Sequence, residues 1–417
     1  MSFRNRFAIL LIVVGALAPL SRAASPLTFD QVVDRFKANN PTVAADLLNI
    51  GESRANEITA GLRPNPDLNI ANDQYNFLHF SPYYRPLQNV EGVFSLSYLI
   101  ERRHKRELRL ESAQEGTRIT ESAHQDLLRN LLFTLRGAFV SALQAKSLLA
   151  LARENLDYYD KEIKINRDRY EAGDLAKIDY QRVELQRVQF ESDYQTALVN
   201  LRTAKIQLLQ LLNDRTPIDE FDITGAFEYQ EAVLVPDELH RQAIASRPDL
   251  EAALRTIMQA KTNNRLAWAN GSTDPTVGVS ASFNGSPGGT GWSLDIPLRI
   301  FDRNQGEKER TALEINRTEH QRDAAVASVY SDVDTAYATV DGVRNLIRPY
   351  RDKYLKEAEQ VRETVSFAFQ HGGASLLDFL AAQKEYRDTQ VAYRTLIGSY
   401  LTAAAQLNMA VGREVIP

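Results

Sequence analysis

Two long stretches of this sequence contain almost no proline, and that limits them to very long helices. No proline occurs between residues 86 and 217, and only Pro349 interrupts residues 298–416. Hydrophobic residues recur every seven positions, the spacing of a coiled-coil seam. The seam is Leu128, Leu135, Ala142, Leu149, Leu156, Ile163 and Tyr170 in the first stretch and Val326, Val333, Val340, Ile347, Tyr354, Val361 and Ala368 in the second. A helix over 105–170 would be roughly 100 Å long, too tall for a compact domain.

Each stretch ends in a glycine turn that reverses the chain. Tyr170 and Gly173 mark the first turn, and Phe369 and Gly372 mark the second. Glycine adopts the left-handed conformation that ends a helix. The return helices carry the same pattern of four- and three-residue steps at an offset of 199 residues. One helical hairpin is therefore present twice.

The duplication defines the predicted domains. Asn40-Pro41 matches Arg247-Pro248 at an offset of 207, so each half also opens with a helix, in the first half over 28–62. We predict a first repeat over 25–213 with its hairpin at about 105–213, and a second over 236–417 with its hairpin at about 305–411. Residues 214–235 form a helix-free equatorial insert, expected to carry a small strand.

Alternating residues between the opening helix and the long helix of each half predict a strand hairpin. The strands are expected at about 67–75, 90–100, 275–283 and 290–298, each close to the ~9 to 11 residues that cross a bilayer when tilted. Four strands cannot close on themselves, because the smallest membrane barrels have about eight, so a spanning chain must oligomerise. The alternative is a soluble α+β domain in which the hairpins pack on helices.

Composition excludes several classes of protein. The chain of 417 residues has no cysteine, which rules out disulfides, thiolate metal sites and a thiol nucleophile. A net charge of −5 gives no basic field for nucleic acid. The six histidines are scattered without ligand spacing, so we expect no metal site, no cofactor and no enzymatic activity. Residues 1–24 are typical of a secretory signal peptide, with two arginines before an apolar run.

Two turn motifs and one strand exit carry a resemblance to a known family. The motifs are Tyr170-x-x-Gly173-x-x-x-x-Asp179-Tyr180 and Phe369-x-x-Gly372-x-x-Ser375-x-x-Asp378-x-x-x-x-Gln383. With the duplicated plan they resemble the TolC-like outer-membrane efflux family over essentially the whole mature chain. The exit at 296–306 looks like the heavy-metal (CzcC-like) subgroup, although residues 100–106 lack the glycine pair that usually precedes a Lys-Arg there.

The resemblance implies a mainly α fold with a small β part. It implies a homotrimer whose four strands per chain form a 12-strand barrel in the outer membrane, on a long α-helical periplasmic barrel. An inner-membrane efflux pump and a periplasmic adaptor (membrane fusion) protein complete the exporter, and the subunit performs no chemistry. Metal cations, drugs and other small molecules are the expected cargoes.

The acidic residues after the turns are the candidate gate. The resemblance implies that Asp378, with Asp179 as its repeat partner, lines the periplasmic mouth, where three like charges favour cations. The alternative is that Asp378 only completes a capping box with Ser375 at the start of the return helix.

Residues next to the second strand are candidates for the membrane interface. Arg102, Arg103 and Lys105 could reach phosphates of outer-membrane lipid, and Tyr98 and Trp292 suit an aromatic girdle. A solvated helix start explains the basic cluster equally well.

Two other interpretations of the whole chain stay open. One is a periplasmic coiled-coil adaptor, which needs one hairpin and a lipoyl-like pair, and the other is a structural coiled-coil envelope protein. In the second long helix, Pro349 removes a backbone donor. We therefore expect a local bend over 345–349 that the first long helix lacks.

Overall fold

The computed structural model describes residues 25–73, 91–283 and 288–416. The predicted signal peptide lies outside the described residues, as do most of the two strand-hairpin connections. In the first repeat the elements are α1 Phe29–Asn39, α2 Pro41–Gly61, β1 Asp67–Asp73, β2 Glu91–Leu99, α3 Lys105–Glu171 and α4 Lys177–Leu211. In the second they are α5 Pro236–Ser246, α6 Pro248–Asn270, β3 Thr276–Phe283, β4 Gly289–Asp295, α7 Gln305–Pro349, a π-helical turn Tyr350–Tyr354, α8 Leu355–Gln370 and α9 Leu376–Val411.

The prediction of one opening helix over 28–62 is wrong, because Pro41 begins a new helix. Proline is favoured at the first position of a helix. In the interior of a helix it has no amide to donate to the preceding turn, and its ring clashes with a carbonyl there. Asn40 caps the new helix, its side-chain oxygen accepting from the amides of Thr42 (2.9 Å) and Val43 (3.1 Å). Its Nδ2 donates to the Leu211 carbonyl at 2.9 Å. One side chain therefore joins the start of α2 to the end of α4.

Arg247 holds the equivalent joint in the second repeat. Its buried guanidinium donates to the Ala410 carbonyl (3.3 Å) at the end of α9 and pairs with Asp249 (2.6 Å) and Asp332 (2.9 Å). Burial acts to raise the pKa of the Asp249 carboxyl, but the Arg247 hydrogen bond and charge outweigh it and leave that pKa below its ordinary value. In each repeat, one side chain therefore holds two shorter helices end to end, α4 and α2 in the first repeat and α9 and α6 in the second.

Helix α3 is the longest element, and shorter helices line it. Helices α2 and α4 pack along one side of α3, while α6 and α9 pack along another and also contact α7. Buried side chains form one core around α3, α1 and the insert, and a second among α5, α7 and α9. A third core near the turns takes residues from both hairpins. The element order across the chain is therefore α2/α4, α3, α6/α9 and α7/α8.

The four strands form one antiparallel sheet in the order β1-β2-β3-β4. The pairing of β2 with β3, for example Phe94 opposite Ala281, joins the two repeats. Both β1 and β4 are edges of the sheet in a single chain. The fourth strand ends at Asp295 rather than at the predicted 298, because Pro297 has no amide to donate to a neighbouring strand.

The heptad seam shifts by one residue at Pro349. Val340 and Ile347 are buried as predicted, but Tyr354 and Val361 are 45% and 44% exposed. Below the turn the buried member of the seam is Phe369, not the predicted Ala368. A π-helical turn holds one residue more than an α-turn, which accounts for the shift. Helix α7 remains α-helical through 345–349, where a bend was expected, and the departure from α-helical geometry is the π-helical turn at Tyr350–Tyr354.

The equatorial insert has less strand structure than expected. Within the described residues, its strand pairing is one isolated bridge between Leu27 and Ile223. The Leu27 amide donates to the Asp222 carbonyl and the Thr224 amide to the Leu27 carbonyl, both at 2.9 Å.

Among the described residues, no helix combines the length and the apolar character that crossing a membrane requires.

Candidate functional site

The two hairpin turns have the geometry that their glycines predict. Gly173 has φ +87° and Gly372 has φ +73°, both left-handed. The Asp174 amide donates to the Arg169 carbonyl at 2.8 Å, and the Gly373 amide donates to the Ala368 carbonyl at 2.7 Å. These bonds satisfy the last carbonyls of the long helices. Any other residue type at either glycine would be strained there.

Asp378 completes a capping box in the second repeat. The Asp378 amide donates to the Ser375 hydroxyl at 3.2 Å, and Asp378 Oδ2 accepts from the Ser375 amide (3.2 Å) and hydroxyl (2.7 Å). These hydrogen bonds from Ser375 hold the pKa of the Asp378 carboxyl below its ordinary value. The carboxylate is exposed to solvent. The structural role considered for Asp378 is therefore present in the chain, and its gate role is still a prediction.

Asp179 stands at the matching position without a cap. The helix starts after Ala176, whose side chain cannot accept the Asp179 amide, and that amide donates instead to the Ala176 carbonyl at 3.0 Å. The nearest cation is Arg182, at 3.9 Å from Asp179 Oδ1. The two candidate gate carboxylates therefore differ, because only Asp378 is bound to its own helix start.

Aromatic residues at the turns have two different environments. Tyr170 stacks on Tyr180 at 5.2 Å between ring centroids and is partly exposed. Phe369 is buried, stacks on Phe379 at 4.8 Å and lies beneath the Arg169 guanidinium of the first hairpin. The repeat pattern assigned Tyr170 and Phe369 equivalent places, but only Phe369 is in the core that the hairpins share.

A polar seam near the turns joins the two hairpins, and no sequence motif predicted it. Arg362 of α8 lies between the rings of Tyr158 (4.5 Å) and Tyr386 (3.7 Å). Glu162 of α3, buried in the same seam, accepts from Gln370 at 3.4 Å. Heptad spacing marks which positions face inward but not which polar residues meet there, so only the tertiary structure could find these pairs.

Lys105 departs from its expected place at the lipid interface. Its side chain is 4% exposed, and the ammonium group donates to Asp274 Oδ2 (2.5 Å) and to the Ser272 carbonyl (3.0 Å). Asp274 also accepts from the Arg102 amide at 2.9 Å. Lys105 therefore joins the start of α3 to the start of β3 and is not available to lipid phosphates, whereas the side chains of Arg102 and Arg103 are exposed.

The aromatic residues of the predicted girdle both lie on strands. Tyr98 is opposite Val277 and half-buried, and Trp292 is opposite Val279 with 82% of its surface exposed. Within the described ranges, no cluster of three or more His, Cys, Asp or Glu side chains could hold a metal ion. The structure therefore places two glycine turns and an exposed acid at one end of the molecule and a four-stranded sheet with two open edges at the other.

Comparison with known proteins agrees with this architecture. The family model described as outer membrane efflux protein matches residues 32–214 and 239–413, one segment for each repeat. The cobalt-zinc-cadmium resistance protein CzcC of Cupriavidus metallidurans is 21% identical over 401 residues, covering 94% of this chain and 91% of that protein. The pyoverdine export outer membrane protein OpmQ of Pseudomonas aeruginosa is 21% identical over 414 residues, with coverages of 92% and 84%.

Solved structures share the fold along nearly the whole chain. CusC superposes with a TM-score of 0.79 at 18% identity, covering 92% of both chains. The outer membrane protein VceC of Vibrio cholerae gives a TM-score of 0.72 at 15% identity, covering 93% of this chain and 97% of that one. With the family model matched across both repeats, the chain belongs to the outer membrane efflux protein family and is a protein of the outer membrane.

Proposed function

We propose that three copies of this chain form the outer-membrane duct of a tripartite efflux system. The observation that carries the proposal is the sheet with two open edges, β1 and β4. An unpaired edge leaves backbone donors and acceptors unsatisfied, which a bilayer does not tolerate. Pairing β4 of each copy with β1 of the next closes a ring of 12 strands from three chains.

The helices at the two sides of the chain support the same assembly. Helix α4 leaves Leu185 and Val188 73% and 62% exposed, and α7 and α8 leave Leu346 and Phe367 57% and 64% exposed. Apolar side chains in such numbers on the outermost helices are typical of a surface that another subunit covers. In a ring, α2 and α4 of one copy meet α7 and α8 of the next, which extends the duct below the sheet.

The proposed duct is passive and requires partners. An inner-membrane efflux pump would supply the energy, and a periplasmic adaptor would join the pump to the helical end. The relatives CzcC and OpmQ are named for cobalt-zinc-cadmium resistance and for pyoverdine export, at equal identity to this chain. We therefore propose metal cations or other small molecules as cargo. The subunit itself would catalyse no reaction.

The proposed gate lies at the turns. Asp378 and Asp179 follow the two turns directly, and threefold symmetry would bring three copies of each carboxylate around one mouth. Rings of like charge concentrate counter-ions, so the mouth would favour cations. Gly173 and Gly372 set the turns that hold these acids in place.

Crosslinking between sheet edges tests the assembly. The chain has no cysteine, so a thiol at Asn69 on β1 and another at Ser293 on β4 would be the only two. A bifunctional maleimide should join neighbouring copies into a ladder ending at the trimer on a denaturing gel. In the matched control, Ser95→Cys with Ser280→Cys, the two positions are register partners inside one chain and should give monomer only. Recovery of a soluble monomer would instead favour the periplasmic adaptor or the structural coiled-coil envelope protein.

A further inference from the structure

The segment after β4 exposes apolar side chains without any regular structure. Leu298, Ile300 and Phe301 are 78%, 59% and 91% exposed. They lie between the last strand residue, Asp295, and the first residue of α7, at the end of the sheet nearest the helices. Three large apolar side chains in one short exposed segment need a covering surface.

Four exposed arginines surround this segment, and we call them the basic rim: Arg102, Arg103, Arg299 and Arg303. Among the described residues, none of their guanidinium groups lies within ion-pair distance of a carboxylate, whereas most other arginines of the chain are paired. The segments after β2 and after β4 are both bound to the residues before β3. The Thr273 hydroxyl donates to the Pro297 carbonyl at 2.9 Å, and the Asp274 carboxylate accepts from the Arg102 amide. The rim is therefore one patch at one end of the sheet.

The strand start of a neighbouring copy would bring no net charge to this patch. If β4 pairs with β1 of the next chain, the residues brought beside the segment after β4 include the linker and strand start at 62–67. That segment contains Arg63 and Asp67 as its charged residues, for a net charge of zero. The rim needs several anionic groups next to an apolar phase, and a lipid leaflet has that chemistry.

We propose that the basic rim and the segment around Phe301 bind anionic glycerophospholipid in the leaflet on the helix side of the sheet. Leu298, Ile300 and Phe301 enter the acyl boundary, and the four guanidinium groups donate hydrogen bonds to phosphates. This inference rests on the proposed function, because it needs the sheet to lie in a membrane. It moves the anchoring role away from Lys105, which is buried, and adds Arg299 and Arg303.

A tryptophan placed in the segment reports the contact. The chain has two tryptophans, so Phe301→Trp with Trp268→Phe and Trp292→Phe leaves one reporter. Trimers are reconstituted in phosphatidylcholine vesicles. Brominated phosphatidylglycerol or brominated phosphatidylcholine is then added, and the quenching of the tryptophan fluorescence is measured. The reporter should be quenched by both lipids, with a relative association constant that favours phosphatidylglycerol several-fold.

Removal of two guanidinium groups should reduce that preference. Arg299→Gln with Arg303→Gln should lower the relative association constant roughly twofold or more, toward equal binding of the two lipids, because each arginine near an anionic surface attracts anionic headgroups. The control, Arg317→Gln with Arg322→Gln, removes the same charge roughly 20 to 30 Å further along α7 and should change nothing. An equal loss of preference in the control would overturn the proposal. So would equal association constants for the two lipids in the reporter protein that keeps all four arginines.

Two further outcomes distinguish lipid from a second copy of the chain and from free phosphate. A reporter that neither brominated lipid quenches would mean that a second copy covers the segment, and the proposal would fail. Inorganic phosphate has the charge but no acyl chain, so it should not displace brominated phosphatidylglycerol, and displacement would assign the rim to free phosphate. Trimer conductance measured in the same vesicles shows separately whether the duct itself exists.

Discussion

At the scale of single residues, the repeats differ where their return helices begin. Ser375 and Asp378 bind each other reciprocally, whereas Ala176 gives Asp179 no such partner. The acid at this position therefore caps its helix in the second repeat and not in the first. Substitutions at the two positions can separate helix capping from ion selection, because the control is built into the chain.

We expect Asp378→Asn to remove the cation preference of reconstituted trimers with little change in the thermal unfolding midpoint, since the amide oxygen still accepts at the helix start. Asp378→Ala should lower both. Asp179→Ala should leave the midpoint unchanged, because no capping box is lost. Reversal potentials and thermal unfolding measure the two effects. Unchanged selectivity in Asp378→Asn would restrict Asp378 to capping.

The buried pair of Lys105 and Asp274 gives a second prediction at this scale. Lys105→Met removes the side-chain cation that pairs with a nearly buried carboxylate, and we expect the folded state to lose about 3 kcal/mol. Lys105→Met with Asp274→Asn should recover part of that loss, because no uncompensated charge is left. Thermal unfolding of the trimer measures both variants. A double variant less stable than the single one would contradict the assignment of the pair.

At the scale of elements, the two long helices differ in one turn. Helix α3 is continuous over 67 residues, with Ala150 where the second repeat has Pro349. Helix α7 ends at Pro349, and the π-helical turn adds one residue before α8. Because Phe369 must stay in the shared core, the π-helical turn cannot become α-helix while the extra residue remains, since that would rotate everything below it.

We therefore expect Pro349→Ala alone to keep the π-helical turn, since the packing of Phe369 fixes the register. Pro349→Ala with deletion of Asp352 should give an uninterrupted α-helix with the lower seam unchanged and a midpoint close to that of the natural chain. Deletion of Arg153, the matching position in α3, should lower the midpoint strongly, because α3 has no residue to spare. If the structure of Pro349→Ala with Asp352 deleted still contains the π-helical turn, this account is wrong.

At the scale of the whole molecule, the two repeats are joined along their length, through the β2–β3 pairing in the sheet, the packing of α6 and α9 on α3, and the core shared at the turns. Helices precede and follow each strand hairpin, so all helices connect to the same end of the strands. Because the chain belongs to a family of outer-membrane proteins, we expect the sheet to lie in the outer membrane and the helices in the periplasm.

The direction of the chain can be tested by labelling. We predict that the hairpin connections at 284–289 and 76–87 face outside the cell and that the turns at Gly173 and Gly372 face the periplasm. Ser286→Cys, which lies outside the described residues, should react with an impermeant thiol reagent on intact cells. Asp174→Cys should react only after the outer membrane is opened. The opposite pattern would invert the topology.

Features that depend only on neighbouring residues could be predicted from the amino-acid sequence. Gly173 and Gly372 end helices because glycine has no Cβ and adopts positive φ at no steric cost, and alternating residues place β3 within one residue of its predicted bounds. Helix α3 begins at the predicted Lys105 and ends one residue later than predicted. Tertiary structure alone decided the partners. Lys105 pairs with a carboxylate 169 positions away, and Phe369 rather than Ala368 enters the core because contacts between helices select the register below Pro349. Local spacing fixes which conformation a segment prefers, but a buried charge or a seam position is settled only when distant segments compete for the same space.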